Sequence, residues 1–208
     1  MSDDCISHDS CERIHIITLV LFLHFLWLSR EFFIPVSTPK PESMLVLAPA
    51  QNRLCIIDVE TILSWCKDKH AFRLWSADRY KDFPAQPEEM LEQYEGDNMN
   101  PLTAVVGDAI VGHILLRYPT KDRTVVRFGF VIVDDSKRGM GYGKQMLRLA
   151  IDYAQRELGA HKITLGVFCD NLSAVECYKS VGFRITGTDS YSIDGEEWKE
   201  YEMELTVI

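Results

Sequence analysis

Residues 131–144 read VIVDDSKRGMGYGK. An apolar, β-branched strand leads into a loop that holds Arg138, Gly139, Gly141 and Gly143. An amphipathic helical pattern follows at once, with Met146, Leu147, Leu149, Ala150 and Tyr153. The chemistry this order suits is anion binding. The first N–H groups of a helix have no internal partner, and the helix dipole is positive there. Glycines let the backbone come close to a pyrophosphate and take dihedrals that a side chain forbids. The stretch therefore predicts a site for a phosphate-bearing cofactor, although a glycine-rich turn can also be a plain connector. A Walker loop requires GxxxxGK[ST], whereas Gly143-Lys144 is followed by Gln145. The dinucleotide fingerprint GxGxxG does not fit either, because the glycines run GxGxG.

A second element lies downstream, Asn171-Leu-Ser-Ala174-Val-Glu-Cys-Tyr178-Lys-Ser-Val-Gly182-Phe183. Asn171 suits the cap of a short helix, with Ala174, Val175 and Tyr178 at helical spacing. Gly182 reads as its C-terminal stop, and Phe183 opens the next strand. By itself this is an ordinary capped helix. Taken together, in this order and at this spacing, the two elements resemble the cofactor-binding core of the GCN5-related N-acetyltransferase (GNAT) superfamily. The first matches that family's [QR]xxGxG/A loop, and the second its N-x-x-A-x-x-x-Y-x-x-x-G-F segment. The resemblance covers roughly residues 44–208. It implies a single mixed α/β acyl-CoA N-acyltransferase domain, with a central, mostly antiparallel sheet flanked by helices and splayed near residues 131–133.

The resemblance also implies an activity: N-acetylation of a primary amine by acetyl-CoA, with direct transfer in a ternary complex. The backbone of Val131, Ile132 and Val133 would pair with the pantetheine arm as though it were another strand. The N–H groups of Arg138, Gly139, Met140, Gly141, Tyr142, Gly143 and Lys144 would hold the pyrophosphate, with the Arg138 side chain adding charge. Asn171 would hydrogen-bond the pantetheine amide. Tyr178 is the catalytic candidate, a phenol that protonates the leaving thiolate. A backbone N–H of the 131–133 strand would stabilise the oxyanion. Core packing for Tyr178 and helix capping for Asn171 are the structural alternatives.

The general base is open. Many members of the family place a Glu near the position of Arg127, and this chain has Arg127-Phe128-Gly129 there. His113 on the neighbouring strand, Glu202 and Asp78 are the other candidates, although a lone strand histidine is more often structural. A water can serve instead, and an amine that arrives neutral needs no base. The acceptor, a small-molecule amine or a protein N-terminus, is expected between residues 70–86 and the terminal hairpin around residues 191–198. Phe72, Trp75, Tyr80 and Phe83 suit a cationic amine, and equally suit closing the edge of the core. An acyl-CoA-binding sensor without turnover is the rival reading.

These residues need a scaffold. The 208 residues, 47% of them hydrophobic, suit one globular domain with a short appendage. A net charge of -9 argues against nucleic acid as a partner. The six cysteines form no CxxC and no zinc spacing, so metal is not expected. They read as reduced thiols of a cytoplasmic protein. From Met44 the pattern predicts a strand at 44–48, a helix at 58–68, and an irregular aromatic stretch at 70–86. A helix at 87–95 follows, then a hairpin around Gly107-Asp108, with strands at 102–106 and 109–118. Next come a strand at 125–133, the long helix at 142–158, a strand at 163–168, the Asn171 helix and a hairpin turning at Asp194-Gly195.

Residues 1–43 differ from the rest. Residues 14–28 (IHIITLVLFLHFLWL) are almost wholly apolar but number about fifteen, short of the ~20 that span a bilayer. Asp3, Asp4, Asp9 and Glu12 precede them, opposite to the basic start of a signal peptide. Residues 35–43 read as an extended linker. A membrane anchor, a helix docked on the domain or on a second subunit of a homodimer, and an extension upstream of a start at Met44 are all open.

Overall fold

The computed structural model describes residues 44–49 and 56–207. The readings of residues 1–43 lie outside the described residues. Seven strands form one sheet: β1 (Leu45–Pro49), β2 (Met99–Val106), β3 (Ala109–Arg117), β4 (Val125–Val133), β5 (Lys162–Phe168), β6 (Arg184–Ile193) and β7 (Glu196–Thr206). Their spatial order is β1-β2-β3-β4-β5-β7-β6. Every neighbouring pair is antiparallel except β4 with β5. Five helices accompany it among the described residues: α1 (Ile56–Ser64), α2 (Lys69–Ser76), α3 (Pro87–Gln93), α4 (Tyr142–Arg156) and α5 (Leu172–Ser180). The expected mixed α/β architecture is the one observed. None of these helices is long and apolar enough to cross a membrane.

The core has two parts. In one, Met146, Leu147, Ala150 and Ala154 of α4 form a buried stripe. They pack with Val175 and Tyr178 of α5 and with Ile114, Val126, Ile163 and Met203 of the strands. In the other, Val59 and Ile62 of α1, Phe72 of α2 and Met90 of α3 pack with Leu115 and Ile132. Strand β3 contributes to both parts, Ile114 to one and Leu115 to the other, as alternate side chains of a central strand do.

One expectation fails. Residues 70–86 were expected to be irregular, but Lys69–Ser76 is helical. Asp68 caps it by accepting the Ala71 N–H at 2.8 Å. Its buried face holds Phe72, Arg73 and Ser76, and two of these are polar. That hides the helical period from a reading that follows apolar residues. The helix at 87–95 ends earlier than expected, at Gln93, and carries a capping box between Gln86 and Glu89.

Candidate active site

Strand β4 is paired with β3 along most of its length but with β5 only through Val125, Val126 and Arg127, opposite Lys162, Ile163 and Thr164. Beyond that point the two parallel strands part. A bulge accompanies the parting. Between the pairs His113–Ile132 and Leu115–Gly129, β4 has one residue more than β3. Phe130 within it has φ +50°, a conformation rare for a bulky side chain. Val131, Ile132 and Val133 lie beyond the last residue of β4 that pairs with β5.

After Val133 the chain makes a short 3₁₀ turn (Asp135–Lys137) and enters the glycine loop. Arg138, Gly139 and Met140 are exposed. Gly141 is the N-cap of α4 with φ +83°, a left-handed conformation that favours glycine. Tyr142, Gly143 and Lys144 form the first helical turn. A Cβ built on Gly143 would lie 3.7 Å from Cys177 Sγ and from Val133 Cγ2. The head of α4 therefore sits against both α5 and the end of β4.

At the start of α5, Asn171 Oδ1 accepts the Ala174 N–H at 3.4 Å, so the expected cap is present. Tyr178 is buried, with its ring edge-on to Phe183 at 6.0 Å. Burial, and then the neighbouring Cys177, push its phenol above the usual tyrosine value, so it stays protonated at working pH. Burial also raises the thiol of Cys177, against a smaller pull from Lys144.

The opposite side of the site is charged. Arg117, Arg127 and Glu202 belong to β3, β4 and β7, and Arg117 pairs directly across from Arg127. The Arg127 guanidinium donates from Nη1 and Nη2 to the two carboxylate oxygens of Glu202, both at 2.7 Å. Two residues before Glu202, the Glu200 carboxylate lies over Gly166, where any Cβ would collide with it. Burial raises Glu200 above the ordinary carboxylate value, against the pull of a Tyr191 hydrogen bond and of Arg127. A cavity of about 160 Å³ opens here, lined by the end of α2 and the residues after it (Trp75 to Arg79), by Arg117, Arg127, Phe130 and Phe168, and by Tyr191 and Glu200. The two segments expected to frame an acceptor thus meet at one cavity. A second cavity of about 420 Å³ shares Asp78, Arg79, Arg117 and Phe130 with it.

Arg73 holds these walls together. Its buried guanidinium donates to the carbonyls of Ala77, Tyr80 and Lys81 and to both oxygens of Asp194, at 2.7–3.4 Å. Asp194 occupies the β6–β7 turn with φ +53°.

His113 is fully buried, and its Nε2 lies 3.0 Å from the Tyr94 hydroxyl. Burial pulls its pKa down to about 3, so it is a neutral structural residue and not a base on the cavity. The unfolded chain binds this proton below about 6.5 and the folded one only below about 3. The histidine's contribution is therefore complete above that window and declines as pH falls through it. Urea titrations between pH 7 and pH 4 should show His113→Gln with a shallower loss of stability, by about 1.4 kcal/mol per pH unit in mid-window. Identical slopes would refute the assignment.

The sequence reading named Arg127, Glu202 and Asp78 but missed Glu200, Arg73 and Arg117. Glu200 sits in the polar run Glu196-Glu197-Trp198-Lys199-Glu200-Tyr201-Glu202, where alternation alone does not single it out. Gly166 facing that strand was the available signal.

Comparison with known proteins agrees with this geometry. Residues 65–183 match the model of the acetyltransferase (GNAT) family. The chain is 33% identical over 89 residues to the L-amino acid N-acetyltransferase AaaT of Escherichia coli, covering 42% of this chain and 54% of that one. It is 35% identical over 74 residues to the uncharacterized N-acetyltransferase YycN of Bacillus subtilis, covering 36% and 45%. The chain thus spans about half the length of these two relatives. A spermidine N-acetyltransferase from Vibrio cholerae, solved with CoA and spermine, superposes with a TM-score of 0.65. That match covers 78% of this chain and 95% of that one at 21% identity, a likeness of fold.

Proposed function

The chain belongs to the acetyltransferase (GNAT) family, and on that premise we propose that it transfers the acetyl group of acetyl-CoA directly to a primary amine in a ternary complex. The observation that carries the reading is the parting of β4 from β5 beside a glycine loop that heads α4. Acetyl-CoA supplies the thioester whose acetyl group is transferred. The backbone of Val131, Ile132 and Val133 offers the pantetheine arm a strand edge. The amides of residues 138–144, at a helix N-terminus, suit the pyrophosphate. Asn171 spends its carbonyl oxygen on the helix cap, which leaves its amide N–H groups for the pantetheine.

In the transfer, a C–N bond forms and the C–S bond breaks. A backbone N–H of β4 stabilises the oxyanion, and Tyr178 gives its phenolic proton to the departing sulfur. The amine sheds its proton on the acceptor side. The raised Cys177 thiol argues for direct transfer over an acyl-cysteine route. Free thiols at Cys66, Cys169 and Cys177 support a reducing, cytoplasmic setting. The named relatives act on L-amino acids and on spermidine. Both are amines, and a protein N-terminus is the other acceptor class.

The test is calorimetric binding of acetyl-CoA to the full chain, together with thiol release across a panel of amines and peptides. Wild type should bind and turn over. Gly141→Val should weaken binding about tenfold or more, because a β-branched side chain resists φ +83° at a cost of about 1–2 kcal/mol. Binding without turnover on any acceptor would favour an acyl-CoA sensor, and absence of binding would overturn the assignment.

A further inference from the structure

We propose that the acceptor is a small amine that also carries a carboxylate, held by Arg79 and Arg117 at its acidic end and by Glu200 at its amino end. This rests on the transferase reading and narrows it.

Arg79 and Arg117 line both cavities. Among the described residues no carboxylate forms an ion pair with either one. Asp78 and Arg79 are both exposed, and Asp78 too borders both cavities without an ion pair, so the half-buried Arg117 is the inner anion contact. Arg117 is half-buried and stands directly across from Arg127, and like charges so placed repel. Glu202 neutralises Arg127 through two bonds, so nothing of Glu202's fork is left for Arg117. Burial, and then Arg127 and Arg79, depress the Arg117 pKa, as expected of a cation short of counter-charge. In a chain of net charge -9, Arg79 and Arg117 are two neighbouring guanidiniums with no ion-paired carboxylate among the described residues. An anionic group arriving there gains charge-assisted hydrogen bonds that the protein does not supply.

The other side of the first cavity has the opposite sign. Glu200 on β7 is separated from Arg117 on β3 by β4 and β5. Its raised carboxyl can bind an ammonium and then accept the proton that the amine loses as it attacks. Trp75, Phe130 and Phe168 give the space between apolar walls. An amine and an acid within one small molecule satisfy both ends. A polyamine would set a second ammonium against two guanidiniums.

The test compares kcat/KM, by thiol release, for L-alanine, L-leucine and L-phenylalanine, each against its C-terminal amide, with spermidine alongside. Calorimetry of the best acid with the CoA-bound full chain gives a readout independent of turnover. The acids should exceed their amides by roughly 10- to 100-fold. Arg117→Gln should bring the ratio to within about threefold by slowing the acid alone, and Arg117→Lys should fall between. Glu200→Gln should slow acid and amide alike. Acetyl-CoA affinity, which reports the fold, should be unchanged in all three variants. Amides or spermidine used as well as the acids would overturn this proposal and leave the transferase standing. Acetyl-CoA binding with no acetylation of any acid would also overturn it, whereas loss of acetyl-CoA binding by wild type would bring down the transferase reading itself.

Discussion

Tyr178→Phe should lower turnover by roughly 10²–10⁴-fold while leaving acetyl-CoA affinity and fold intact. The ring is buried in the core against Phe183, and phenylalanine keeps that packing. What the substitution removes is one proton. Because burial holds the phenol above the usual tyrosine range, wild type keeps that proton throughout the neutral region. Tyr178 should therefore add no limb to the pH–rate profile below about pH 10. The deficit of the variant should be constant across pH 6–9. Steady-state thiol release and acetyl-CoA calorimetry on both proteins check this. A Phe variant with full turnover would leave Tyr178 as packing alone. A deficit that closes with rising pH would mean that Tyr178 loses its proton within that range, against the burial that holds it.

The elements proposed to hold the donor were legible in the sequence because local backbone geometry makes them. A glycine at φ +83°, an Asn cap and a buried Tyr at helical spacing each leave a mark within a few residues of one another. The order of elements was legible for the same reason, since turns such as Gly107-Asp108 and Asp194-Gly195 punctuate it. The acceptor side was not legible in that way. Arg127 and Glu202 are 75 positions apart, and only the crossing order β4-β5-β7 brings them into contact. Strand periodicity puts Glu200 and Glu202 on one face but says nothing of what lies opposite. Helix α2 was missed because the residue at the centre of its buried face is an arginine, whose burial depends on a turn 121 positions away.

That arginine gives the second large effect. Arg73→Leu should cost about 1–3 kcal/mol of stability, because it leaves carbonyls packed around the buried guanidinium without a donor, while the exposed Asp194 turns to water. The carbonyls of Ala77, Tyr80 and Lys81 lose their donor, and Asp194 keeps only Lys69, at 3.0 Å. A leucine fills much of the volume but supplies no hydrogen bonds, so the 77–81 segment and the β6–β7 turn lose their common tether. Those segments carry Ala77, Asp78 and Arg79 on one side of the cavity and adjoin Tyr191 and Ile193 on the other. The loosened walls should raise KM for the acceptor about tenfold or more, as small misplacements around a reacting group do. The glycine loop and the free edge of β4 take no bond from Arg73, so acetyl-CoA affinity should hold wherever the variant is folded. Arg73→Lys keeps the charge but not the planar fork, and should recover only part of both losses. Urea midpoints together with KM for each substrate separate the two effects. If acceptor KM stays at the wild-type value while stability falls, Arg73 supports the fold without shaping the cavity.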